Sequence, residues 1–223
     1  MIKSIAIAFS LLLATTHALA LNKGELNARI GKLGSQLESL QKRSEGAIPV
    51  EKLKAAKGII LMERTKGGFI IGYEQGHGVA MVRNQDGQWS APSFMISHEG
   101  SFGAQIGGKS SFIVILLMHD SATDRLLSSE FKFGGEAAGT AGDSSGSTTK
   151  NESEKQPVLV YGFSSGVYGG ATVQAGSVDT DEKANTTYYN DYFSPKEILF
   201  EAKVETSERA KQLAETIDKL ANN

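Results

Sequence analysis

Two short glycine-containing patterns in this chain have residue types and spacings that could do chemistry. Residues 103–110 read Gly-Ala-Gln-Ile-Gly-Gly-Lys-Ser, which fits the phosphate-binding loop G-x-x-x-x-G-K-S. That loop needs a helix directly after it, because backbone N–H groups at the helix N-terminus hold the phosphates. Residues 111–118 are instead strand-like, reading Ser-Phe-Ile-Val-Ile-Leu-Leu-Met. We therefore predict that the chain does not bind a nucleotide.

The second pattern, Gly-Phe-Ser-Ser-Gly at residues 162–166, matches the G-x-S-x-G elbow of hydrolases. In that arrangement the serine lies on a strand-to-helix turn, and a histidine follows later in the chain. The sequence after Gly166 indicates no helix before Pro195, and no histidine occurs after His119. We interpret the pattern as a turn between strands and predict that the protein is not an enzyme.

Metal-binding residue types are sparse. The chain has four histidines and no cysteine, which excludes thiolate metal sites and disulfides. The spacings of His77, His98 and His119 match no common ligand pattern. The sequence therefore predicts no catalytic residue, no metal and no cofactor.

Basic residues remain as candidates for binding a lipid. Such binding needs cationic groups for phosphate and an apolar surface for acyl chains. Some of them flank the first predicted helix, and the others lie beside glycine turns, where backbone N–H groups could help to hold a phosphate. A solvated surface role is the alternative for each. The candidate lipid-binding residues are Lys23, Arg29, Lys32, Lys57, Lys66, Arg83 and Lys109.

Leucines and one isoleucine recur at alternating spacings of four and three residues near the N-terminus. This period predicts an amphipathic helix over residues 22–43. The stripe either packs on the rest of the domain or lies at a bilayer interface, and the sequence leaves both readings open. The stripe consists of Leu26, Ile30, Leu33, Leu37 and Leu40.

From Ile59 the sequence indicates short strands joined by tight turns, with Gly76-His77-Gly78 as one turn and Asp86-Gly87 as a hairpin signal. Dense glycine predicts strong curvature or close backbone approach. The strands are predicted at residues 59–62, 69–73, 79–83, 112–118, 130–133, 158–163 and 168–176.

Further helices are predicted around these strands. One covers residues 50–57 and another residues 119–129, with Ala122, Leu126 and Leu127 facing inward. A mobile polar loop is predicted near residues 139–156. The capping box that begins at Ser194 opens a C-terminal helix, whose later turns present Leu213, Ile217 and Leu220. The predicted fold class is α+β: a glycine-rich, mainly antiparallel sheet between N- and C-terminal helices, with barrel-like closure as an open alternative.

The first twenty residues have the pattern of a secretory signal peptide: a basic start at Lys3, an apolar run over residues 5–14 and the small residues Ala18 and Ala20. The run is too short to cross a bilayer. We therefore predict export, to the periplasm or as a secreted protein. The net charge of −2 excludes the strongly basic composition of nucleic-acid binders. The domain boundaries predicted are 1–20, 21–49 for the first helix, and 50–223.

An ordered string of motifs then suggests a family. It contains Ala56-Lys57-Gly58-Ile59, Lys66-Gly67-Gly68-Phe69, Trp89-Ser90-Ala91-Pro92, Phe102-Gly103-x-Gln105-Ile106-Gly107, Phe133-Gly134-Gly135-Glu136, Asn185-x-x-Tyr188-Tyr189 and Ser194-Pro195-x-Glu197. Over residues 50–199 the chain closely resembles the SYLF domain, also called the yeast actin-binding family. It departs from the family pattern after Gly142, where Asp143-Ser144-Ser145 replaces a proline and a basic residue.

The resemblance implies a non-catalytic lipid-binding domain that recognises acidic phospholipid head groups, here at the cell envelope. Some relatives bind actin through additional N-terminal sequence, and actin is not an expected partner of an exported protein. The implied partner is a phospholipid or membrane surface. A structural or protein-interaction domain of the envelope without its own ligand is the alternative.

Overall fold

The structure is a computed structural model, and it describes residues 21–43, 46–67, 71–102, 109–128, 130–133, 140–141, 157–164 and 176–222. The predicted signal peptide lies outside these residues. Within the described ranges, no helix combines the length and the apolar character that a membrane span requires.

Helix α1 (Lys23–Gln41) forms where the period predicts it. Asn22 and Glu25 make a reciprocal capping box at its start, which satisfies backbone donors that have no partner within the helix. All five residues of the apolar stripe are at most 2% exposed. The packing interpretation of this stripe is therefore confirmed. A stripe available for a bilayer would lie on the surface of the protein, whereas this one is buried within it.

The described residues form a sheet of eight strands in the order β5-β8-β3-β2-β1-β4-β7-β6. Seven pair antiparallel, β6 pairs parallel with β7, and the antiparallel sheet is nearly closed into a barrel. The predicted α+β class and the mainly antiparallel sheet are therefore confirmed. The strands are β1 (Gly58–Gly67), β2 (Ile71–Val82), β3 (Ser93–Phe102), β4 (Lys109–Leu117), β5 (Phe131–Phe133), β6 (Thr140–Ala141), β7 (Val158–Ser164) and β8 (Gly176–Thr180).

The two faces of this sheet are buried in two separate cores. Alternate residues such as Ile59 and Leu61 pack outward against the helices, whereas Ile60 and Met62 pack inward against the concave side. This alternation follows from the two-residue period of a strand. The other helices are α2 (Val50–Ala55), α3 (Asp120–Thr123) with a 3₁₀ turn (Asp124–Leu127), α4 (Glu182–Tyr189), α5 (Pro195–Leu199) and α6 (Glu208–Leu220).

Strand β2 corrects the predicted turn at Gly76-His77-Gly78, because the strand runs through all three residues. A Cβ atom on Gly78 would lie 2.2 Å from the carbonyl oxygen of Leu61. The glycine is therefore needed for close approach of two backbones, which the density of glycine predicted, and not for a change of chain direction. The hairpin at Asp86-Gly87 is confirmed, with Gly87 at φ 78° and its N–H bonded to Asn84.

Several other boundaries differ from the prediction. The predictions missed β3 and α4, and the C-terminal helix is two helices, α5 and α6, of which the second begins after Ser207. Leu127 is 43% exposed and does not face inward, because the second part of the predicted helix is a 3₁₀ turn. Thr140–Ala141 is a short strand within the predicted polar loop, and the rest of that loop lies outside the described residues. Of the strand predicted at residues 168–176, only Gly176 is described, as the start of β8.

Replacing Gly78 with alanine should unfold the domain at lower temperature. The added methyl group would overlap the backbone of β1, and such overpacking costs about 3 kcal/mol. The control is Gly162→Ala in β7, where a Cβ meets nothing within 4 Å and stability should change by less than about 0.5 kcal/mol. Thermal melts followed by circular dichroism would compare the two, and equal melting temperatures would contradict the argument.

The capping box of α5 should make stability depend on pH. The backbone N–H of Ser194 and then the ammonium of Lys203 lower the pKa of Glu197 from 4.5 to about 2. Since the folded-state pKa lies below the unfolded one, the stabilisation is complete above about pH 4.5 and is lost as the pH falls towards 2. Wild type should therefore exceed Glu197→Gln in stability at neutral pH, with the difference shrinking over that window in denaturant titrations. A difference that stays constant down to pH 2 would show that the carboxylate is not responsible.

Candidate functional site

The candidates on α1 have carboxylates close to them. Lys32 Nζ lies 2.6 Å from one carboxylate oxygen of Glu63 and 2.7 Å from the other. The same glutamate accepts a hydrogen bond of 3.1 Å from Ser110 Oγ. The positive charge of Lys32 is therefore already balanced by a residue of β1.

Arg29 and Lys23 are also engaged within the protein. Burial lowers the pKa of Arg29, while the charges of Asp181, Glu25 and Glu63 act in the opposite direction. Lys23 Nζ lies 5.4 Å from the centre of the Tyr188 ring. Three acidic residues thus accompany the three basic candidates of α1, and this surface has little net attraction for an anion.

Arg83 is a structural residue that fixes α6 to the sheet. Its guanidinium lies 2.7 Å from Asp218 Oδ1 and 4.2 Å from the centre of the Trp89 ring, and it donates to the carbonyl of Gly87. Trp89 Nε1 donates to the same Asp218 oxygen at 3.0 Å. Exposed Lys57 adjoins this corner, because its carbonyl accepts the N–H of Arg83 at 2.7 Å.

Lys66 and Lys109 are the two candidates that the sheet brings together. Lys66 near the end of β1 is the register partner of Lys109 at the start of β4. On the other side Lys66 pairs with Glu74 of β2, which in turn pairs with Glu99 of β3. We call this line of four residues the charged row; the side chains of its members lie outside the described part of the structure. Its two lysines occupy adjacent strands, and so do its two glutamates.

Two polar residues next to this row were missed by the sequence interpretation. Arg64 and Ser97 are 2% and 0% exposed, although arginine and serine are usually solvated. The only sequence signal for Arg64 is its position two residues beyond Met62 in the phase of the inward apolar residues. The burial of Ser97 depends on its position in β3, and that strand was not predicted.

Three residues of the resemblance motifs have structural roles. Asn185 is buried, and its side chain accepts the N–H of Phe94 at 2.8 Å and donates to the Phe94 carbonyl at 3.3 Å. Tyr188 donates to Asn27 of α1 at 3.0 Å, and Tyr189 donates to the carbonyl of Pro92 at 2.7 Å. Burial raises the pKa of Tyr189, which keeps this hydroxyl a donor. These contacts hold α4 between α1 and the edge of β3.

The described residues of the two enzyme-like patterns lie in β-strands. Lys109 and Ser110 lie in β4, and Ser164 lies in β7. A strand at Lys109 does not offer the N–H groups of a helix N-terminus that a phosphate-binding loop uses. In the described ranges, no group of three or more histidine and acidic residues could hold a metal ion.

The described residues therefore define an α+β domain whose nearly closed sheet places two lysines side by side at one end of β1 and β4. A family model described as "Ysc84: Las17-binding protein actin regulator" matches residues 98–220. This match covers more than half of the chain, and the protein belongs to that family. The resemblance to the SYLF domain is thereby confirmed.

Curated relatives agree with this assignment. The chain is 28% identical to Protein YSC84 of Saccharomyces cerevisiae over 163 residues, which cover 70% of this chain and 34% of the relative. It is 27% identical over 161 residues to LAS seventeen-binding protein 3 of the same species, covering 70% and 35%. The SH3 domain-containing YSC84-like protein 1 of Bos taurus is 25% identical over 174 residues, covering 77% and 51%. The chain thus spans about a third to a half of the length of these relatives.

Replacing Asp218 with alanine should loosen α6 from the sheet. The change removes two hydrogen bonds to a carboxylate, from Arg83 and from Trp89, and should lower the free energy of unfolding by about 2 kcal/mol. Urea denaturation followed by the fluorescence of the single tryptophan measures this loss. Glu215→Ala, one turn earlier on the exposed face of α6, is the control and should change stability by less than about 0.5 kcal/mol. Equal losses for the two variants would refute the role given to Asp218.

Proposed function

We propose that this chain is a non-catalytic binding domain that recognises the head groups of acidic phospholipids at the cell envelope. The observation that supports it best is the register of β1 and β4, in which Lys66 lies opposite Lys109. Among the basic candidates from the sequence, these two are the ones that the register of the described strands places side by side.

A cross-strand pair of like charges is unfavourable by a few tenths of a kcal/mol to about 1 kcal/mol. An acidic head group near these two lysines would reverse the sign of that interaction. On its other side, Lys66 has Glu74 of β2 as its register partner. The net charge of −2 for the whole chain means that attraction to an acidic surface must come from such a local feature.

The compartment is part of this proposal. Residues 1–20 have the pattern of a secretory signal peptide, so we place the protein in the periplasm or outside the cell. In that compartment phospholipid is available on membrane surfaces, and actin is not an expected ligand.

A second candidate function is binding to a protein partner. The family description and the name of LAS seventeen-binding protein 3 refer to binding of another protein. The shared region covers about a third of that relative, so its partner need not be bound by this domain. The lipid experiment below separates the two functions.

Vesicle co-sedimentation of residues 21–223 tests the lipid proposal. These residues contain every element that the structure describes, and circular dichroism confirms that the protein is folded. Binding should occur with vesicles of phosphatidylglycerol and phosphatidylcholine, should be absent with phosphatidylcholine alone, and should weaken between about 0.05 and 0.3 M salt. Folded protein that binds neither vesicle would refute lipid binding and favour a protein partner.

The double variant Lys66→Gln/Lys109→Gln locates the binding. Each basic residue near an acidic surface contributes about 1 kcal/mol, so the loss of both should weaken binding by about tenfold or more. The control removes the same charge from exposed lysines elsewhere, Lys54→Gln/Lys211→Gln, and should bind like wild type. Equal weakening of both variants would indicate attraction to the whole surface and contradict a site at Lys66 and Lys109.

A further inference from the structure

Along β1, successive cross-strand rows in the same phase of the sheet change from apolar to polar to charged residues. One cross-strand row, in strand order from β3 to β4, is formed by Met95, Gly78, Met62 and Ile113, and it belongs to the inner core. The next row in the same phase is formed by Ser97, Gly76, Arg64 and Ser111. We call it the polar row. The row after that is the charged row, with Lys66 and Lys109.

Gly76 lets the polar side chains of this row approach each other. A Cβ atom at Gly76 would lie 3.0 Å from Arg64 Cγ, 3.0 Å from Ser97 Oγ and 2.8 Å from Met62 Sδ. Arg64 and Ser97 flank Gly76 in the register, and both side chains occupy the space that a Cβ atom at position 76 would need. The sheet thus holds a guanidinium-bearing side chain and a hydroxyl on either side of one glycine.

The chemistry of this row is unusual for a protein interior. Ser97 Oγ is fully buried and has no hydrogen-bond partner among the described residues. A buried hydroxyl without a partner costs free energy, so its presence calls for a ligand or another compensating role. Arg64 carries a guanidinium group, and the residue is 2% exposed. Its planar donors suit the oxygens of a phosphate.

We propose that the polar row is the phosphate subsite of this domain, in which Arg64 and Ser97 bind the phosphate group of an acidic phospholipid. This inference rests on the proposed function and places the phosphate one row inside the charged row, about 7 Å along the strands. Arg64 also interacts within the protein, and the phosphate adds to that contact or replaces it. The lysines of the charged row attract the head group, and the polar row binds its phosphate.

Three of the basic candidates from the sequence lie outside this row. Lys32 is paired with Glu63 and Arg83 with Asp218. Asp181 and Glu25 accompany Arg29. Arg64 differs from all three because it lies on the concave face, next to a buried hydroxyl that no described residue satisfies.

Ser97→Ala is the sharpest test, because structural and ligand-binding roles predict opposite results. The substitution removes a buried hydroxyl without a described partner, so the melting temperature should stay the same or rise. Affinity for dihexanoyl phosphatidylglycerol, a soluble acidic phospholipid, should fall by about tenfold, which corresponds to about 1.4 kcal/mol. Isothermal titration calorimetry on residues 21–223 measures the affinity, with dihexanoyl phosphatidylcholine as the zwitterionic comparison. Lys54→Gln, an exposed cation outside the row, is the control and should bind like wild type.

Arg64→Met and Arg64→Lys extend the test. Loss of the guanidinium in Arg64→Met should weaken binding by more than about thirtyfold, and Arg64→Lys should restore part of it, because an ammonium keeps the charge but not the planar set of donors. If Arg64→Met does not fold, Ser97→Ala and Arg64→Lys carry the test. Wild-type protein that binds no acidic lipid would refute the proposed function itself, whereas wild-type binding that Ser97→Ala leaves unchanged would refute only the subsite.

Inorganic phosphate distinguishes the sources of the ligand. Competition between phosphate and the lipid, lost in Ser97→Ala, supports a phosphate subsite. Phosphate that binds as tightly as the lipid would support the subsite and overturn its assignment to a lipid. Lipid binding that is insensitive both to phosphate and to Ser97→Ala would overturn the subsite.

Discussion

The close approach of β1 and β2 at Gly78 is the constraint on which the rest of the domain depends. The position of a side chain at residue 78 is occupied by the carbonyl of Leu61, so only a glycine lets the two backbones run this close. Close approach within a long antiparallel pair favours bending of the sheet. Bending gives the sheet a convex face that α1, α2, α4 and α6 cover and a concave face whose separate core includes residues of α3 and α5. Each strand of the centre is therefore buried on both sides, and its apolar residues follow one another without the alternation of a half-exposed strand.

Polar contacts fix the helices around that sheet. Asn185 takes the place of a neighbouring strand at Phe94, since its amide both accepts and donates there. Asp218 receives donors from Arg83 and Trp89 just beyond the C-terminal end of β2. Each of these contacts satisfies buried or half-buried groups that would otherwise lose hydration. The consequence for function is that Arg83 has a structural role and cannot also serve as a free cation for a ligand.

Local signals in the sequence were sufficient for the elements whose determinants are close together in the chain. The stripe of α1 and the capping box at Ser194 depend on residues three or four positions apart, and both are confirmed. The turn predicted at Gly76 and Gly78 was wrong, because the sequence alone does not distinguish a glycine that allows close packing of two strands from a glycine in a turn. Strand β3 was missed because its sequence continues into Ser97-His98-Glu99, which is too polar for a strand judged without its neighbours. The partnership of Lys66 with Lys109, and the position of Arg64 between Gly76 and Ser111, depend on the pairing of β1 with β2 and β4. No pattern within a single strand contains that information.

The same pairing explains how a chain with more acidic than basic residues can present a cationic feature. Charge in this domain is distributed by strand: the charged row has glutamates on β3 and β2 and lysines on β1 and β4. Electrostatic attraction over a distance shorter than the Debye length depends on this local arrangement more than on the sum over the chain. On the convex face, Glu63 balances Lys32, whereas on the concave face the charge of Arg64 is buried beside Ser97. A buried cation needs compensating contacts, and the proposed phosphate would add to the interaction that Arg64 makes within the protein or replace it. An apolar residue at this position would only extend the core of Met62 and Ile113.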